Sequence, residues 1–83
     1  MNKLLIEVYL PAAGRSFDVF IPSGLPLREV TALVSKALSE LSEGLFVANE
    51  STVLCDRRTG DILDARMTAE EAGLYNGAGL MLI

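Results

Sequence analysis

Between Pro26 and Gly44 the chain reads PLREVTALVSKALSELSEG, its longest stretch with a helical apolar period. Leu27, Val30, Val34, Ala37, Leu38 and Leu41 recur at helical spacing. At about 100° per residue they gather within an arc of roughly 120°. Arg28, Glu29, Ser35, Lys36 and Ser39 fall on the opposite side. Pro26 suits a first turn, where a missing N–H costs nothing, and it pushes Leu25 towards an extended conformation. Gly44 is free to take the left-handed conformation that ends a helix. Everything else reads as short strands and turns, so one amphipathic helix has one small sheet to lie on.

Residues 3–10, KLLIEVYL, alternate as a strand: Leu4, Ile6, Val8 and Leu10 face one way, Lys3, Leu5, Glu7 and Tyr9 the other. Pro11 to Gly14 is a turn, and residues 15–21, RSFDVFI, alternate again, with Phe17, Val19 and Ile21 opposed to Ser16, Asp18 and Phe20. Two such runs around a short Gly-containing link predict an antiparallel hairpin. Pro22-Ser23-Gly24 then leads into the helix. Leu45-Phe46-Val47 is placed as a connection, with an irregular helix extension or a strand start as alternatives. Thr52 to Asp56 reads as a short strand with Val53 and Cys55 on one face and Leu54 on the other. Residues 57–60 are a turn, and 61–64 a very short edge strand. Thr68 and Glu71 stand at the spacing of a capping box around a single helical turn that Gly73 stops. Asn76-Gly77 is a strong turn signal, and residues 79–83 form the closing strand. This order predicts an α+β roll, with a mixed sheet of four to five strands, one helix on one face, and the first and last strands parallel at the centre.

Eighty-three residues make one domain, spanning 1–83. Eleven acids against seven bases leave a net charge of −4, and Arg57-Arg58 is the only adjacent basic pair. A nucleic-acid groove or an anionic membrane surface is therefore not an expected partner. Acidic residues interrupt every apolar run well short of a membrane span, and no small-residue cleavage site follows Lys3-Leu4-Leu5-Ile6. A single cysteine allows no internal disulfide and fits a reducing compartment, so a cytoplasmic location is expected.

Three further stretches carry a family likeness. Residues 22–30, PSGLPLREV, look like the strand-to-helix passage of the ubiquitin-like β-grasp superfamily. Gly60-Asp61-Ile62-Leu63-Asp64 resembles its Gly-x-x-Leu-Asp turn. Residues 69–80 are similar to its closing Leu-x-x-x-Gly-(Ile/Val)-x-x-Gly-x-x-Leu signature, with Ala69 where leucine is usual and Ala78-Gly79 where Asp-x is usual. The Leu-Pro-Leu-Arg-Glu-Val start and the small size look most like the YukD/EsaB family. Those are bacterial proteins of the type VII (WXG100, Ess-type) secretion system, related to the ubiquitin-like domain of its EccD membrane component. The resemblance implies a cytoplasmic, non-enzymatic accessory that touches the secretion machinery.

Chemistry at the chain end is the alternative, because ubiquitin-type carriers and modifiers act through a flexible Gly-Gly tail that threads a narrow active site. The sequence ends Leu82-Ile83, so the carrier reading needs a tail beyond Ile83. Without histidine, neither Ser-His nor Cys-His activation nor imidazole metal ligation is available. Cys55 reads as a small buried apolar residue, and a lone thiol cannot hold an iron–sulfur cluster. Glu70 and Glu71 diverge on a helical turn and make a poor acid/base pair. Gly77-Ala78-Gly79 lacks the helix and lysine of a phosphate cradle. No enzyme activity is expected, and no catalytic, cofactor or metal site.

What remains is a surface. Alternation sends Leu5, Tyr9, Phe20, Leu54, Met81 and Ile83 to the sheet face away from the helix, where a one-sided sheet normally shows polar residues. Central parallel strands place Leu5, Met81 and Ile83 close together, flanked by Phe20 and Leu54, in a patch larger than a soluble monomer usually exposes. In ubiquitin the corresponding face is the main docking surface, so the resemblance implies a protein partner, or a second copy, on these residues. The alternatives are that Phe46, Val47 or another loop covers part of the patch, that its residues are scattered singly, or that the domain is an adaptor in an unrelated bacterial complex.

Overall fold

The computed structural model describes residues 2–83. Its elements are β1 (Lys3–Leu10), β2 (Arg15–Pro22), α1 (Leu27–Leu41), β3 (Leu54–Asp56) and β4 (Gly79–Leu82). They form one mixed sheet in the order β2-β1-β4-β3. β1 and β2 are an antiparallel hairpin from Lys3↔Pro22 to Leu10↔Arg15, and Gly14 closes its turn with a φ of 65°. β1 and β4 run parallel through Glu7↔Gly79, Val8↔Leu80 and Tyr9↔Met81. The expected fifth strand at 61–64 is a single bridge, Cys55↔Ile62.

α1 lies on one side of this sheet, and its Leu27, Val30, Val34 and Leu38 join Ile6, Val8, Leu10, Ile21, Leu80 and Leu82 in the core. The period-3.6 stripe and the period-2 strands meet as the apolar pattern requires. Two helix positions differ from the sequence reading. Leu41 is 52% exposed. It is the last residue of α1, and the chain turns back there so that Phe46 enters the core instead. Ser35, expected on the solvent side, is buried, because the 48–52 segment runs beside it and closes a groove there.

The helix ends are satisfied from the backbone. Pro26 is the N-cap, with φ −56° and ψ 141°, and carries no side-chain cap. The first-turn donors are taken by a distant loop: Leu27 N–H donates to the Met67 carbonyl at 2.7 Å and Arg28 N–H to Ala65 at 2.9 Å. At the other end Glu43 N–H bonds to Glu40 and Gly44 N–H to Ser39, which is the Schellman pattern. The left-handed position just past the cap is held by Glu43 (φ 56°), not by a glycine. Holding an L-residue there costs about 1–2 kcal/mol, partly offset by the greater unfolded-state entropy of glycine. We therefore expect Glu43→Gly to raise stability by roughly 0.5–1 kcal/mol, read as a higher urea midpoint at unchanged slope.

The loops follow their turn chemistry. Asp56 Oδ1 accepts the Arg58 and Thr59 N–H groups, and Gly60 (φ 80°) closes that turn onto the Asp56 carbonyl. The expected capping box forms in both directions: Thr68 N–H donates to Glu71 Oε1 at 2.9 Å and Glu71 N–H to Thr68 Oγ1 at 3.1 Å. It holds a turn that tucks Ala69 fully into the core. Beside it Arg66 grips Asp64 through Nε and Nη2 at 3.2 and 3.1 Å and through its backbone N–H. The side-chain bonds first, then the backbone one, hold the Asp64 carboxyl below its ordinary value. Asn76 works across the fold, its Oδ1 accepting the Leu5 N–H at 2.9 Å, while Gly77 (φ 90°) donates to the Leu5 carbonyl.

Candidate functional site

The face of the sheet turned away from α1 is the candidate site, and pairing register fixes which side chains share it. Residues directly opposite across a sheet point to the same face. The first rung holds Phe20 and Leu5, with Gly77 beyond them. The second holds Asp18, Glu7, Gly79 and Arg57, and the third Ser16, Tyr9, Met81, Cys55 and Ile62. The fourth is made by Ile83 and Val53, tied by two backbone hydrogen bonds of 2.9 and 3.1 Å.

Five of the six expected residues, Leu5, Tyr9, Phe20, Met81 and Ile83, are on this face. Phe20 is 68% and Leu5 36% exposed, Ile83 is exposed, and Tyr9 and Met81 are half-buried. Leu54 is the exception. It pairs with Leu82 on the helix side and is only 2% exposed, so it belongs to the core. Val53 and Cys55, expected inward, take the open side. Asp56 sits at the helix-side parity, where its carboxylate turns to the 58–59 amides. Cys55 is buried as expected, but on the open side of the sheet, on one rung between Met81 and Ile62, and burial pushes its thiol pKa up.

The patch is also not continuous. Because β1 and β4 run parallel with Tyr9 opposite Met81, Leu5 lies four residues from the Met81 rung, about 13 Å along the strand. A polar belt fills the interval. Arg57 crosses β4 above Gly79, which has no side chain to obstruct it, and its Nη1 donates to Glu7 Oε1 at 3.1 Å and to Ser16 Oγ at 3.2 Å. The same guanidinium lies 4.4 Å from the centre of the Tyr9 ring. Two apolar areas result: Phe20 with Leu5 at one end, and Met81, Ile83 and Val53 at the other. Ile62, 65% exposed, extends the second area and escaped the sequence reading, because only its bridge to Cys55 puts it on this face. Neither Phe46 nor Val47 covers the face as the alternative had it: Phe46 is in the core and Val47 points to solvent.

Among the described residues, no helix is long and apolar enough to cross a membrane. No protein-family model and no curated protein matches the sequence. Solved structures do match it. The chain is similar over its full length to the ubiquitin-like domain of the Mycobacterium tuberculosis type VII secretion system protein ECCD1, with a TM-score of 0.82, 17% identity and 99% of that chain covered. The EccD5 ubiquitin-like domain from Mycobacterium xenopi matches with a TM-score of 0.81 and 18% identity, over 100% of this chain and 94% of that one. A chain of a MycP5-free ESX-5 inner membrane complex matches with a TM-score of 0.75 and 23% identity, over 98% of this chain and 20% of that one. The chain has the ubiquitin-like β-grasp fold.

Proposed function

We propose that this protein is a non-enzymatic, ubiquitin-like docking module of a bacterial type VII secretion system, acting in the cytoplasm. Support comes from the whole-length likeness to the ECCD1 ubiquitin-like domain, together with an open sheet face that keeps Phe20, Leu5, Ile83 and Ile62 in water. Side chains of that kind gain free energy when a partner covers them, at about 25 cal/mol per Å² of apolar surface removed from water. Nothing covalent is needed: the domain acts by presenting a rigid surface whose two apolar areas flank a polar belt. The partner is a component of the secretion machinery, and a second copy of the chain is the other occupant the face admits.

Site-specific photo-crosslinking in the source cell tests this reading. A photoreactive residue replaces Phe20 or Ile62 on the open face, and Leu33, exposed on the outer side of α1, as the control. Adducts from Phe20 and Ile62 to a secretion-system component, absent from Leu33, are expected. Adducts to an unrelated complex overturn the secretion assignment. Adducts only from Leu33 overturn the face, and an intact mass of the native protein that includes a Gly-Gly extension returns the carrier reading.

A further inference from the structure

The first two rungs of the open face hold an arrangement that the fold alone does not call for. Leu5 and Phe20 are cross-strand partners, and Phe20 is the most exposed large apolar side chain on the sheet. On the neighbouring rung Glu7 faces Asp18, also in direct register. Like charges set opposite one another repel. Glu7 is compensated, since Arg57 reaches it across Gly79 at 3.1 Å. The same guanidinium reaches Ser16 Oγ on β2, two residues from Asp18, yet among the described residues Asp18 forms no ion pair. The bases nearest in the hairpin do not serve it. Arg15 has the helix-side parity and lies 4.6 Å from the Phe17 ring, and Lys3 is two rungs away, opposite Pro22.

β2, which carries both Asp18 and Phe20, is the outer strand of the sheet, with β1 on one side and no strand on the other. Its outward N–H and C=O groups are open to a further extended segment. Alternate residues of such a segment would fall on the open face, one beside Phe20 and the next, two residues on, beside Asp18.

From this juxtaposition we propose that the Phe20–Leu5 end of the open face binds an extended protein segment that sets an apolar side chain on Phe20 and a lysine or arginine on Asp18. The inference rests on the docking reading above and specifies the chemistry of its partner. A cation at Asp18 relieves the Glu7–Asp18 repulsion at the moment of binding. A neutral or acidic residue there does not, so the same carboxylate that attracts the right segment rejects the wrong one. The selectivity is electrostatic and weakens with added salt.

A random peptide library selected on the immobilised full chain tests the proposal. Enriched peptides are expected to carry lysine or arginine two residues from an apolar residue. A synthetic copy should shift the amide resonances of Leu5, Asp18 and Phe20. Asp18→Asn, an exposed and nearly isosteric change, should weaken that peptide about tenfold, the scale of one charge-assisted contact. Asp18→Lys should abolish binding and restore it to a peptide with glutamate in place of its base, which a merely structural role for Asp18 could not do. A selection that returns no binder, or binders without a base, overturns the proposal, as does an Asp18→Asn variant of unchanged affinity. If the crosslinks from Phe20 stand while these fail, the face docks a segment of other chemistry; if the crosslinks fail as well, the docking reading falls with it.

Discussion

Leu54→Asp is expected to leave the protein unfolded, while Phe20→Asp leaves the fold intact and removes docking. The two apolar residues look alike in an alternating strand, but Leu54 is paired with Leu82 beneath the helix and Phe20 stands in water. A carboxylate in place of Leu54 must either ionise in the core without a partner or stay protonated there, and the lost leucine packing is added to either cost. The sum exceeds about 5 kcal/mol. A chain of 83 residues holds on the order of 4–12 kcal/mol in total. Circular dichroism with a urea titration separates the outcomes: no cooperative transition for Leu54→Asp, and a midpoint near wild type for Phe20→Asp. A Leu54→Asp protein whose urea midpoint stays near wild type would remove the core assignment and return Leu54 to the open face.

The second large effect contrasts two leucines of one stripe. Leu38→Ala should cost about 3–4 kcal/mol, because Leu38 is fully buried and its truncation leaves a cavity under the sheet. Leu41→Ala should cost less than about 0.5 kcal/mol, since that side chain is already half in solvent and alanine is the better helix former. Equal losses at the two positions would mean that the helix continues over the core beyond Leu41. The comparison needs only denaturation midpoints measured on the same day in the same buffer, with equal slopes.

These contrasts show where local pattern was enough. In β1 and β2 eight residues alternate with polar marks on one face, Lys3 and Glu7 in one strand, Ser16 and Asp18 in the other, and the phase they set is the phase observed. The capping box at Thr68 and Glu71 and the turn at Asn76-Gly77 act within a few residues, and both form as their chemistry demands. β3 lacks such a guide. Val53, Leu54 and Cys55 are consecutive apolar residues, and the polar residues that flank them, Thr52 and Asp56, serve turns and point to the wrong phase. Pairing with β4 decides the matter, and pairing is a long-range contact.

The contour of the candidate site had the same origin. That Leu5, Tyr9, Phe20, Met81 and Ile83 share a face follows from period-2 alternation, which is a property of each strand alone. How far apart they lie depends on the stagger of β1 against β4, and that offset is set by contacts between segments distant in sequence. It arises from seating the helix stripe on the sheet while Asn76 and Gly77 hold Leu5 from the other end. The stagger puts Gly79 beside Glu7, clears a passage for Arg57, and divides one apolar surface into two with the Arg57–Glu7 pair and Asp18 between them. Side-chain periodicity is written residue by residue and is legible in a single chain, whereas register is the joint minimum of many weak contacts between distant segments and exists only once they have met.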